Sequence, residues 1–222
     1  MKKLTDLLYR LETVDNQARH KKLLGLLKKM KLQSKKQAMQ IDILCNDMIG
    51  SQREFIRRLK TIDFRANFYE SIMGATDLNC LLSASSVIIK EETNNLNIVF
   101  FLRHAETFEI YTFDEDQEND SQWQSIENCF SPELMVNICK SNKICDINDM
   151  FGMGLQGNLT SLNELSAVSI PLGSFGAVQG FMLVYRSSEK KLNNEEIRKI
   201  SSISSGLSQA IYACKVLAHS SE

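Results

Sequence analysis

Two short runs decide the fold: Ala167-Val168-Ser169-Ile170-Pro171-Leu172-Gly173 and Val178-Gln179-Gly180-Phe181-Met182-Leu183-Val184. Both are apolar and rich in β-branched or aromatic residues, and both are bounded by Gly and Pro, which is how strands joined by a turn are written. They sit in the longest uncharged stretch of the chain, Leu165 to Tyr185. A bilayer helix needs about 20 apolar residues without breakers. This stretch is interrupted by Pro171, Gly173, Gly176, Gln179 and Gly180. It therefore predicts two strands, Leu165 to Pro171 and Val178 to Arg186, paired as a hairpin.

Working outward from the hairpin, Asn194 to about His219 carries apolar residues at Ile197, Ile200, Ile203, Leu207, Ile211 and Cys214, the spacing of one helical face. Upstream, Ser131 followed by Pro132 and Glu133 is a helix start, with a cap, a first-turn proline and a first-turn acid. Lys143 to Ile147 reads as a short strand, and Asp149 to Leu162 as a Gly-containing loop. Ile98 to Arg103 and Phe108 to Phe113 form a second hairpin around His104 to Thr107. Ser85 to Lys90 is predicted to be a further strand, after a short helix over Leu78 to Ala84. Phe64 to Met73 is predicted to be another short helix. Five or six short strands with helices before and after make an α+β domain, with a central antiparallel sheet and helices on one face.

Residues 1–60 are different in kind. They hold 15 Lys/Arg against 6 Asp/Glu, whereas residues 61–222 hold 11 against 21, although the whole chain of 222 residues has a net charge of only −1. No proline precedes Pro132, and Leu, Lys, Met, Gln and Arg dominate the first 60 positions, all favourable in helices. Leu4, Leu7, Leu8, Leu11, Val14 and Ala18 share one face. Leu23, Leu24, Leu27 and Met30 continue it, and Ile41, Met48, Phe55 and Ile62 stand seven apart. That spacing is coiled-coil-like. The register slips by two near Lys31 to Lys36, so one helix with a discontinuity and two helices both fit. The expected organisation is a basic helical arm over 1–60 and a globular domain over 61–222, with the arm pairing in a parallel homodimer.

The closing hairpin, with its Pro171-Leu172, Gly176 and Gly180, resembles that of GAF domains. So does the Leu192-Asn193-Asn194-Glu195-Glu196 entry into the last helix, and Ile144-Cys145-Asp146-Ile147 is similar to the short strand before the family's pocket-lining loop. The resemblance covers about residues 64–217 and implies a small-molecule sensor or regulatory module, its pocket between the sheet and the middle helix. The arm resembles the signalling helices that often precede such domains. The resemblance does not identify a ligand, and no cofactor is assigned. Candidate ligand-binding residues are Arg103, Trp123, Cys139, Asp146 and Phe151, placed by their positions at strand ends and in the variable middle.

Other chemistry finds little support. The six cysteines form no C-x-x-C pair, so neither a metal site nor a disulfide framework is expected, and a reducing cytoplasm fits them. Gly152-Met153-Gly154-Leu155-Gln156-Gly157 spells a dinucleotide fingerprint but lacks the acidic residue about 20 positions on. Asp114, Asp116, Glu118 and Asp120 begin like a calcium loop, yet Asn119 stands where Gly is required and Ser125 where Glu is required. His20, His104 and His219 are scattered. The expected function is non-catalytic: a cytoplasmic regulator that binds an unidentified small molecule and signals through its helices, with a partner signalling protein as the expected receiver. Two alternatives are a ligand-free dimeric scaffold and a thiol enzyme like the GAF-type methionine-sulfoxide reductases, acting at Cys139 or Cys145. No membrane partner is expected, since no run spans a bilayer. Nucleic acid is not expected either: the lysines of the arm read as the solvated outer face of a coiled coil, and Tyr9 and Phe55 are its only aromatics.

Overall fold

The computed structural model describes residues 2–93, 96–105, 107–113, 126–158, 162–174 and 177–220. The chain divides into two compact units, Met1–Leu59 and Lys60–Glu222. The first is formed by one helix. This helix, α1 (Lys2–Ile72), is unbroken, so of the two arrangements that fit the sequence the single helix is the one formed, and the helix predicted over Phe64 to Met73 is its last turns.

In the second unit five strands form one antiparallel sheet: β1 (Asn97–His104), β2 (Thr107–Thr112), β3 (Cys145–Asp146), β4 (Leu165–Ser174) and β5 (Ala177–Ser187). Their order is β2-β1-β5-β4-β3, so the closing hairpin β4–β5 supplies central strands and β1 pairs directly with β5. The fold is α+β with a five-stranded antiparallel sheet and a long N-terminal helix, as the sequence predicts, but helices cover both sheet faces rather than the one expected.

The strands alternate cleanly. Ile98, Phe100, Leu102, Met182 and Val184 face one cluster, with Phe64, Phe68 and Ile72 from the end of α1 and Leu81, Leu82 and Ile89 from α2 (Leu78–Glu92). Two C-terminal helices complete it, α5 (Asn194–Ser201) and α6 (Ser204–Ser220), through Ile200, Ile203, Leu207 and Ile211. The end of α1 thus shares one face with α2, α5 and α6. The opposite face is covered by α3 (Pro132–Ser141) and α4 (Ile147–Gly152), against Val99, Phe101, Phe181 and Leu183.

Three local readings are corrected. Ser85 to Lys90 is the second half of α2, not a strand. Leu81, Leu82, Ser85, Ser86 and Ile89 are buried at helical spacing, and Asp77 caps the start by accepting from Cys80 N at 2.9 Å. Burial of that face outweighs the β propensity of Val87-Ile88-Ile89. The first part of the Asp149 to Leu162 loop is helical, in α4. The single predicted C-terminal helix is two, because Ser201, Ser202 and Ser204 turn their hydroxyls back onto the carbonyls of Arg198, Lys199 and Ser201. Such back-bonding competes with the helix ladder.

Candidate functional site

The pocket that the resemblance implies falls on the sheet face under α3 and α4. Phe101 and Phe181 are cross-strand partners on β1 and β5. Their rings stack with centroids 4.7 Å apart. Phe130, just before α3, closes on both at 5.0 and 5.9 Å. Leu134, Met135 and Ile138 of α3 and Met150 of α4 pack against this trio, and all are buried. The N-terminus of α3 is fixed by Ser131, whose Oγ accepts from Leu134 N at 3.3 Å, and its C-terminus by Asn142 in the left-handed conformation. Among the described residues, the space between sheet and middle helix is filled by aromatic side chains.

The five predicted site residues fare unequally. Trp123 lies outside the described residues, as does the acidic segment Asp114 to Asp120. Cys139 and Phe151 both belong to the apolar cluster on this face, Cys139 buried and Phe151 partly so. Burial pushes the Cys139 thiol up to about 11, against the opposing pull of the Arg103 guanidinium. A thiol held protonated at neutral pH is a poor nucleophile. This argues against the thiol-enzyme alternative, and Cys145 is likewise buried, its Sγ donating to Lys143 O at 3.4 Å. Asp146 is exposed, and its carboxylate caps α4 by accepting from Asp149 N at 2.8 Å while Asp149 reciprocates at 3.1 Å. That capping box occupies the group structurally. Arg103, exposed at the end of β1, folds back so that Nε donates to Ala105 O at 3.2 Å.

The Gly152 to Gly157 segment follows a helix rather than a strand, with Met153 closing α4, so the context of a nucleotide loop is missing. What sequence reasoning missed is Phe130, an isolated aromatic before the Ser131-Pro132 helix start. Its only signal was its place at the position preceding a helix cap, where an apolar residue commonly packs back.

A second candidate site lies on α1. Counting in sevens, Ala38, Cys45, Gln52 and Leu59 share one heptad position and Ile41, Met48, Phe55 and Ile62 the other. Leu24 and Leu27 fall on the same two positions further up, so the register expected to slip near Lys31 to Lys36 is kept from Leu24 to Ile62, and Lys31 and Ser34 are a polar interruption of the seam rather than a change of phase. In the structure this seam is open: Met48 is 62%, Phe55 63% and Ile62 60% exposed. On the helix surface Glu54 holds Arg57 at 3.2 Å and Arg58 at 3.0 Å.

Comparison with solved structures places the second unit among proteins of known architecture. It resembles the GAF domain of the Acinetobacter phosphoenolpyruvate-protein phosphotransferase, at 11% identity over 70% of this chain and 94% of that one, with a TM-score of 0.51. The GAF domain of the corresponding protein from Coxiella burnetii is similar at 10% identity, over 72% of this chain and 98% of that one, with a TM-score of 0.50. A GAF domain/HD domain protein from Geobacter sulfurreducens matches at 11% identity over 65% of this chain and 98% of that one, also with a TM-score of 0.50. The domain therefore has the GAF fold. No protein-family model and no curated protein matches the sequence.

Proposed function

We propose that this chain is a non-catalytic, cytoplasmic regulatory protein that pairs with a second copy of itself through α1, its GAF domain serving as the regulatory head. The observation that carries this reading is the open seam from Ala38 to Ile62. The unit that holds most of it is a single helix, which cannot cover its own apolar face, and a stripe of this width is not stable in water without a partner helix. Residues 38–62 carry four Lys/Arg and three Asp/Glu, so two copies can lie together without strong repulsion. Gln52, a polar residue in the middle of the seam, is the kind of side chain that selects one register.

Small-molecule sensing is the second reading, favoured by the GAF fold. Ligand entry under α3 requires Phe130 to leave Phe101 and Phe181. The packed trio favours the scaffold form of regulation, in which the domain presents surface rather than an open pocket.

Light scattering on the purified chain tests the pairing. A mass about twice 25.2 kDa is expected, falling to that of one chain in Met48→Asp/Phe55→Asp. A parallel arrangement predicts that Gln52→Cys, placed on a Cys45→Ser background, forms a disulfide between two chains on mild oxidation. A mass of one or four chains for the unaltered protein overturns the reading.

A further inference from the structure

The segment above the seam has a chemistry of its own. Residues 19–36 contain eight Lys and Arg and no Asp or Glu. They are helical, and every one of them is exposed. Successive residues of an α-helix are about 100° apart. On that wheel Leu23, Leu26, Leu27 and Met30 fall within an arc of about 100°. Lys21, Lys28 and Lys35 form a row seven apart on the far side from that arc, and Lys22, Lys29 and Lys36 form a second row that flanks its Leu26 edge, with Leu32 between the two rows. The four apolar side chains are about as exposed as those of the seam, Leu26 at 61% and Met30 at 67%.

A partner for this face must satisfy both halves. A second copy of the segment brings two sets of eight cations side by side and meets Lys31 and Ser34 at the seam positions. A polyphosphate such as duplex DNA satisfies the lysine rows but leaves the apolar arc in water, and residues 19–36 hold no Phe, Tyr or Trp ring to stack on a base. An anionic lipid surface satisfies both, with the apolar arc in the acyl boundary and the lysines among the headgroups. No helix among the described residues is long and apolar enough to cross a membrane, and lying on one is a separate matter.

We infer that residues 19–36 dock on an anionic membrane surface. Flotation of the full chain with vesicles tests this, comparing phosphatidylcholine alone with phosphatidylcholine containing phosphatidylserine, at low and at physiological salt. Flotation only with phosphatidylserine present, weakening as salt rises, is expected. Each cation at such a surface is worth roughly a fivefold gain in binding, so Lys28→Gln/Lys29→Gln should weaken it by more than tenfold. Leu23→Ser/Met30→Ser, which lies off the seam and leaves the charges intact, should also weaken it several-fold. All four positions are exposed, so helix content by circular dichroism should not change in either variant. No flotation, or equal flotation on uncharged vesicles, overturns the inference. Binding that ignores the Leu23/Met30 changes and is displaced by duplex DNA assigns the segment to nucleic acid instead.

Discussion

Replacing Gly180 by Ala should damage the sheet more than any other exchange this small. Gly180 lies in β5, flanked by Leu102 on β1 and Leu172 on β4, at the centre of the three-strand ladder and beside the bulge at Leu172/Gly173. A Cβ built there would stand 2.0 Å from Phe101 O and 2.9 Å from Leu102 Cα, both backbone atoms of a paired strand that cannot swing aside. Its φ of +154° adds the strain of a region that other residues rarely enter. That strain alone costs about 1–3 kcal/mol. Opening the β1–β5 ladder by more than an ångström exposes at least one buried backbone pair, about 1–3 kcal/mol more. The sum, about 4 kcal/mol, is a large share of the roughly 10 kcal/mol available to a domain. Gly154 is the internal control: its φ is +109° and nothing lies within 4 Å of the added carbon, so Gly154→Ala carries the strain without the clash. Urea unfolding followed by near-ultraviolet circular dichroism reports the buried aromatics without interference from the arm. A Gly180→Ala loss no greater than that of Gly154→Ala would refute the reasoning.

Further outcomes follow from the same packing. Arg186, 8% exposed, donates through Nη1 and Nη2 to Glu196 at 3.1 and 2.6 Å, through Nη2 to Lys191 O at 2.9 Å, and through Nε to Lys190 O. Glu196→Ala should cost about 3 kcal/mol in the same urea assay by leaving that cation short of its partner, and Arg186→Lys should not restore the fork. Alkylation at neutral pH, followed by peptide mass mapping, should label exposed Cys45 and Cys80 first and Cys139 last, because burial holds the Cys139 thiol up to about 11. The Asp77 carboxyl is held below its usual value by the Cys80 backbone N–H. A depressed acid contributes stability above its unfolded pKa and loses it as pH falls through the folded one, so below about pH 4 wild type should lose more stability than Asp77→Asn, which caps without titrating.

The closing hairpin and the α3 start were legible in sequence because each carries its own local chemistry: Pro171 and Gly180 for the strands, Ser131 and Pro132 for the helix. Ser85 to Lys90 was not, because two serines stand at buried positions of α2 and hide its helical period behind a β-branched run. Ser85 satisfies itself by donating to Leu81 O at 2.7 Å, a bond that exists only once the helix does. α4 was hidden for a related reason, since a six-residue helix ending in Gly has too short a pattern to separate from a loop. For the candidate site, sequence could place residues near one sheet face but not tell a lining from a filling. Cys139 and Phe151 proved to be part of the packed cluster, and Asp146 a cap. Whether Phe101, Phe130 and Phe181 surround a space or occupy it depends on ring-to-ring distances, which no one-dimensional pattern encodes.

Near its end α1 gives one face to the domain core and leaves another open. Phe64, Phe68 and Ile72 are buried in the domain core, while Ile62, two residues before Phe64, is open. At 100° per residue, Phe64 and Phe68 point about 200–240° away from Ile62, so the domain grips the side of the helix that the seam does not use. The seam ends here for a physical reason. Tyr69, seven residues after Ile62, is packed against the domain core, and a Cβ on Gly206 of α6 would come within 2.3 Å of its ring. That close approach needs a residue without a side chain on α6, and it removes Tyr69 from the open stripe. Isolated helices gain little from propensity alone, because the first turn costs more than it returns. Packing of the last turns of α1 in the domain core supplies that nucleus, and the pairing proposed over 38–62 covers the face that propagation alone leaves exposed. Weakening the grip, as with Phe68→Ala, should therefore loosen hydrogen-exchange protection in residues 60–72 first, and protection over 38–62 should persist if pairing is what sustains it.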